Sequence, residues 1–253
     1  MKKDLCSVVI PAYKCASFID ETLNSVLGQT YPELEIIVVN DCSPDHTEEI
    51  ILEYCSRDAR IRYLKNEINQ GVAETRNRGV RAARGKWIAL VDSDDCWEPN
   101  KIEAQMELVK EKNALLCYTG CQFMNNQGRL IGRVFNVPET VDYAQLLYQN
   151  VIVCSSVLIS RELLLEHPMY GDHMHEDYIT WLHILKEQKA YGINAPLVRY
   201  RIADNSKTRN KFKSIQMTYH VYRHMQLNLW QAHYYLAANM LNGLKKYGKH
   251  AFL

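Results

Sequence analysis

The chain has 253 residues, 47% of them apolar and 23% charged, a composition that excludes disordered and collagen-like proteins and leaves ample material for a core. Its net charge of +1 hides an asymmetry: residues 1–198 hold 20 Lys and Arg against 28 Asp and Glu, and residues 199–253 hold 10 against 1. The acidic first part argues against a nucleic-acid-binding protein, which needs a broad basic face. Met1-Lys2-Lys3-Asp4 leads directly into a strand with no secretory signal, and the longest apolar stretches, such as 151–154, are too short to span a bilayer. A cytoplasmic protein is expected. Its eight cysteines are expected as reduced thiols, since no CxxC pair occurs.

In chain order, Ser7-Val8-Val9-Ile10 reads as a buried strand stopped by Pro11, followed by a helix over 17–27 ended by Gly28. A second strand over 34–39 ends at Asn40-Asp41, and Ser43 and Asp45 are placed to cap a helix over 45–55. A short strand at 60–64 precedes a helix over 72–84, closed by Gly85. A strand at 87–91 then delivers Asp92-Ser93-Asp94-Asp95. This alternation predicts an α/β fold with a mostly parallel central sheet flanked by helices. From 101 the pattern loosens into an α+β half. Helices are predicted over 101–112, 142–149 and 175–188, and strands near 114–118, 130–135 and 152–159. A helical tail follows Arg199-Tyr200-Arg201. The expected division is a first half over 1–100, a second half of the same domain over 101–200, and a basic helical tail over 201–253.

Three strands thus end in polar chemistry at one sheet edge, where open parallel sheets bind ligands. Pro11-Ala12-Tyr13 offers an aromatic face, Asp41 an acceptor for a base N–H or a ribose hydroxyl, and the Asp92–Asp95 turn a cluster of carboxylates. Such carboxylates repel one another, and a hard divalent cation bridging them to a diphosphate relieves the repulsion. No GxGxxG or GxxxxGK[ST] loop is present, which argues against a Rossmann dinucleotide site or a P-loop.

Several segments together resemble the family 2 glycosyltransferases of the GT-A fold. They are Val8 to Tyr13, Ser25 to Tyr31, Val38 to Asp45, Asn69 to Ala73, Arg76-Asn77-Arg78-Gly79 and the Asp92–Asp95 turn. Glu176-Asp177-Tyr178 with Trp181, and Tyr200-Arg201, continue the match. The tail is similar to the teichuronic-acid type, which belongs with capsule and O-antigen polysaccharide synthesis. The resemblance implies an inverting transfer from a UDP-sugar to a hydroxyl of a lipid-linked saccharide. Pro11, Ala12, Tyr13, Asp41 and Arg76 would surround the uracil, with Asp92 and Ser93 toward the ribose. Asp94 would hold Mn2+ or Mg2+, and Glu176 and Asp177 would form the catalytic pair, Asp177 as general base. The alternative is a catalytically weak nucleotide-sugar-binding scaffold in a synthase complex. One departure stands out: Ala203 occupies the place where family members often carry a His, leaving Asp204 or water as the substitute.

Each residue also has a structural reading. Asp45 serves equally as a helix cap, Arg76 alone reads as a solvated helix residue, and Glu176 and Asp177 suit a helix N-terminus whatever their chemistry. His173 and His175 flank Met174 but lack a third ligand at zinc spacing. Trp97 either covers a nucleotide or packs, and Trp181 is core or sugar-pocket wall. The basic, aromatic tail fits a membrane surface, a homodimer contact, or packing on the catalytic domain.

Overall fold

Cys6–Ala12 (β1) and Leu34–Asn40 (β2) are buried at every position, as expected of strands covered on both faces by helices. A computed structural model describes residues 4–171, 174–202 and 211–247. The remaining strands are Ile61–Lys65 (β3), Trp87–Leu90 (β4), Cys96–Trp97 (β5), Leu116–Met124 (β6), Leu130–Phe135 (β7), Thr140–Val141 (β8), Leu158–Ser160 (β9) and Ala190–Arg201 (β10). They form one sheet in the order β3-β2-β1-β4-β9-β6-β10-β5, with β7 against β6 and β8 against β10. β2, β3, β4, β6 and β10 run parallel to β1, and β9 lies antiparallel between β4 and β6.

The helices are Ile19–Leu27 (α1), Thr47–Arg57 (α2), Val72–Ala82 (α3), Lys101–Lys112 (α4), Tyr143–Tyr148 (α5), Arg161–Glu166 (α6), Glu176–Ile184 (α7), Lys211–His224 (α8) and Leu229–Tyr247 (α9). α3 lies tight against the sheet because Gly79 leaves room: a Cβ there would meet Val9 Cγ1 at 2.4 Å. That close approach fixes where Arg76 and Asn77, one turn earlier, emerge.

The first hundred residues match the predicted strands and helices to within a few residues. β10 is the main difference. Gly192, Asn194 and Pro196 hide it in the sequence, and register shifts against β6 on either side of Pro196 absorb the missing donor. The strand expected over 152–159 is a 3-10 turn, Cys154–Ser156, followed by the short β9. The helical tail is two helices, broken where Gln226 adopts φ 63°. It packs on the α/β domain through buried Tyr222, whose hydroxyl donates to Leu147 O at 2.8 Å.

Candidate active site

The carboxyl ends of β1, β2 and β4 converge on the edge predicted for ligand binding. Pro11 and Ala12 are buried at the end of β1, and Asp41 N donates to Ala12 O at 2.8 Å, joining the two strand ends. Lys14 and Cys42 both take left-handed φ values, 51° and 58°, turning each loop sharply away from the sheet. Tyr13 is left 43% exposed, with the Lys14 ammonium 5.2 Å from its ring centroid. Asp45 accepts from Ala16 N at 3.3 Å and from the Thr47 hydroxyl at 2.7 Å, tying the loop after β1 to the start of α2.

Asp41 is buried and heavily engaged. Its Oδ1 accepts from Asn66 Nδ2 at 2.7 Å and Gln70 N at 2.8 Å, and its Oδ2 accepts from Gly71 N at 2.9 Å. These bonds lace the 66–71 loop over the end of β2 and set the start of α3, where Gly71 needs φ 87°. The carboxylate retains acceptor capacity for a ligand N–H, since each oxygen carries two lone pairs.

In the acidic turn the three carboxylates separate. Asp95 turns inward and is buried, accepting from Ser155 Oγ at 2.5 Å and Arg201 N at 2.8 Å. Burial, followed by the charges of Asp94 and Asp92, drives its pKa well above the usual carboxylate range. Asp92 and Asp94 stay half-buried at the surface of the turn. Burial and then the charge of Asp92 push the Asp94 carboxyl up to about 6. Ser93 reaches the buried Cys15 thiol. The turn is clamped from behind by Arg201, itself buried, which donates from Nε to Asp94 O at 2.8 Å and from Nη1 to Asn125 O and Asn126 O at 3.0 and 3.1 Å, and pairs with Glu21.

The second half of the chain is brought to this edge by Asn77. Its Nδ2 donates to Met169 O at 2.6 Å and its Oδ1 accepts from Met169 N at 3.0 Å, so an amide on α3 pins the segment leading to α7. Glu176 at the start of α7 is buried and pairs with Arg76 Nη1 at 2.9 Å, while Arg76 Nη2 reaches Asp92 Oδ1 at 2.5 Å. Burial opposes the charge of Arg76, yet Asp92 and Glu176 hold it protonated. The guanidinium expected at the base is therefore committed to two carboxylates, with its Nε left buried and unpartnered. Next in sequence, Asp177 accepts from Tyr178 N at 2.7 Å. Burial, then the charge of Glu176, pushes its carboxyl up to about 6.

Trp97 is buried and donates to Ser155 O at 2.8 Å, so it supports the turn instead of covering a ligand. Trp181 is fully buried core. Ala203, Asp204 and His173 lie outside the described residues. The sequence did not single out Arg201, Ser155 or Asn77 as site-forming, although Arg201 and Asn77 stood within the matching motifs. Gln29, in another of those motifs, is a buried amide bridging Glu98 O at 2.8 Å and Ile102 N at 3.0 Å.

The family model described as Glycosyl transferase family 2 matches residues 7–166. A protein of Bacillus subtilis (strain 168), the putative teichuronic acid biosynthesis glycosyltransferase TuaG, is 35% identical over 96% of this chain and 98% of its own. The Escherichia coli protein WfgD, a UDP-Glc:alpha-D-GlcNAc-diphosphoundecaprenol beta-1,3-glucosyltransferase, is 35% identical over 98% of this chain and 96% of its own. Among solved structures, residues 1–349 of S. aureus TarS in complex with UDP superpose with a TM-score of 0.71 at 18% identity, over 95% of this chain and 72% of that one. With the fold and these matches together, the chain belongs to glycosyl transferase family 2. It is a glycosyltransferase with the GT-A fold.

The donor set fits a divalent cation. Among the described residues no three His, Cys, Asp or Glu side chains converge as a closed metal site. A hard cation held by one or two carboxylates and completed by substrate phosphates needs no such closed cage. Asp94 would supply such an oxygen, and a cation there would relieve the repulsion from Asp92 that helps raise its carboxyl.

Proposed function

We propose that this enzyme transfers a sugar from a UDP-sugar to a hydroxyl of a lipid-linked saccharide during cell-surface polysaccharide synthesis, with inversion at the anomeric carbon. The observation that carries the reading is the Asp92–Arg76–Glu176 bridge, which joins the acidic turn to the helix bearing Asp177. Pro11, Ala12, Tyr13 and Asp41 form the base cradle, and Asp92 with Ser93 receives the ribose. Arg76 acts as a strut between the donor and acceptor sides, a role that fits its burial better than contact with the base.

Asp177, half-buried beside Glu176, takes the proton of the acceptor hydroxyl. That oxygen bonds the anomeric carbon from the face opposite the diphosphate as the carbon–oxygen bond to the diphosphate breaks, and UDP leaves. Mn2+ or Mg2+ held by Asp94 and the diphosphate would stabilise the leaving charge. A relative named for a UDP-glucose donor and a diphosphoundecaprenol-linked acceptor supports the donor and acceptor classes. With a lipid-linked acceptor, the enzyme works at the inner face of the cytoplasmic membrane as a peripheral protein; among the described residues no helix is long and apolar enough to cross a bilayer.

The test is thermal stabilisation by UDP, GDP, CMP and AMP, each with and without Mn2+. Selective, metal-dependent stabilisation by UDP is expected, and Asp94→Ala should lose the metal-dependent part by about tenfold in UDP affinity or more. Equal stabilisation by every nucleotide, or by none, contradicts the proposed donor.

A further inference from the structure

Along α9 the exposed residues fall at 229, 230, 231, 233, 234, 237, 240 and 241, and all but Gln231 share a single helical stripe. The stripe is Leu229, Trp230, His233, Tyr234, Ala237, Met240 and Leu241, with Trp230 87% and Leu241 63% exposed. The opposite side of the helix, through Ala232, Tyr235 and Leu236, packs on the core. The stripe covers roughly 18 Å of helix. It continues across His233 into a cleft of about 250 Å3 between α8 and α9, walled by Ile215, Tyr219, Leu236 and the 78% exposed Phe212. An apolar face of this extent, on a helix anchored to the core through Ala232, Tyr235 and Leu236, marks an interaction surface.

Charge selects the partner. Residues 205–253 contain eight Lys and Arg and no Asp or Glu. Joining two copies through this face would bring two such tails together, whereas an anionic bilayer complements them. Exposed Trp and Tyr beside Leu and Met, on a helix from a cationic segment, suit the boundary between headgroups and acyl chains. The geometry points to α9 lying in the surface of an anionic membrane, its Leu229–Leu241 stripe inserted and the α8–α9 cleft open to acyl or polyprenyl chains. This inference rests on the lipid-linked acceptor proposed above and adds the face that meets the lipid. It also connects that face to the chemistry: α8 begins beside α7, where the Ser214 carbonyl and hydroxyl each lie 3.4 Å from His175 Nε2, two residues before Asp177.

The chain reports on this docking by itself, because Trp87, Trp97 and Trp181 are buried and Trp230 is exposed. The full chain is mixed with vesicles of equal parts phosphatidylglycerol and phosphatidylcholine, and separately with phosphatidylcholine alone. Tryptophan emission should shift to the blue and be quenched by bromine-labelled acyl chains in the anionic vesicles, and high salt should weaken the effect. Trp230→Phe should remove the signal while leaving co-sedimentation, and Leu229→Glu with Leu241→Glu should weaken co-sedimentation about tenfold or more. UDP-induced thermal stabilisation, measured in parallel, shows that each variant is folded. Absence of anionic-vesicle binding in a wild-type protein that still responds to UDP would overturn the inference. So would lipid-free self-association that shields Trp230, which would assign the face to a second copy. Vesicle binding with no response to UDP would uphold the membrane face and overturn the donor assignment instead.

Discussion

Arg76 and Glu176 are 100 residues apart in the chain and 2.9 Å apart in the fold, and the same guanidinium reaches Asp92. One buried cation therefore balances a carboxylate from the acidic turn after β4 and another from the start of α7. Removing it leaves Glu176 buried without its countercharge, a loss that typically costs about 3–5 kcal/mol. Arg76→Met should lower the unfolding free energy on that scale in a urea titration and abolish transfer. Arg76→Lys, able to pair with one carboxylate but not to bridge two, should retain part of the stability and little activity. Unchanged stability in Arg76→Met would show that the bridge is not structural.

As the proposed general base, Asp177 would set the pH response. A general base must be ionised, and burial beside Glu176 raises its pKa to about 6. The rate constant kcat/KM should rise tenfold per pH unit below about 6 and level off above it. The sign for stability is opposite. A carboxyl whose folded pKa exceeds its unfolded value binds more protons when folded, so this group's contribution to stability falls as pH rises from about 4 to about 6. A pH–rate profile flat from 5 to about 8 would exclude a base with this pKa.

Much of the first hundred residues was legible in the sequence because strand, turn and helix alternate there with strong periodicity. Pro11, Tyr13, Asp41 and Asp92 stand where the strand ends put them. Less legible were the residues that act through backbone contacts far along the chain. Arg201 ends a strand interrupted by Gly192, Asn194 and Pro196, and no local pattern reveals that it clamps Asp94 O and the carbonyls of Asn125 and Asn126. Asp95 reads in the sequence as a third loop carboxylate, whereas Ser155 and Arg201 N hold it inside. The Arg76 bridge is equally non-local, since neither α3 nor α7 announces the other.

Lys101 presents a separate test of the core. It is fully buried on α4, donates to Gln105 Oε1 at 2.7 Å and lies 4.0 Å from the Trp97 ring centroid. Burial lowers its pKa to about 7. Because the unfolded chain binds more protons than the native state between about 7 and about 10, this group makes stability rise with pH across that window. Lys101→Met, close in volume and free of the charge, should raise Tm at pH 7 and flatten that slope. A fall in Tm, with the slope unchanged, would mean that the ammonium is held charged by its surroundings.

The most direct measurement of the proposed mechanism compares wild-type enzyme with Asp177→Asn, using a metal-supplemented UDP-sugar and a lipid-linked saccharide acceptor, with UDP affinity determined on the same preparations. Loss of a general base typically lowers the rate about 100- to 10,000-fold. The account predicts a loss of that size in Asp177→Asn with UDP affinity unchanged. Full transfer by Asp177→Asn would show that another group takes the acceptor proton.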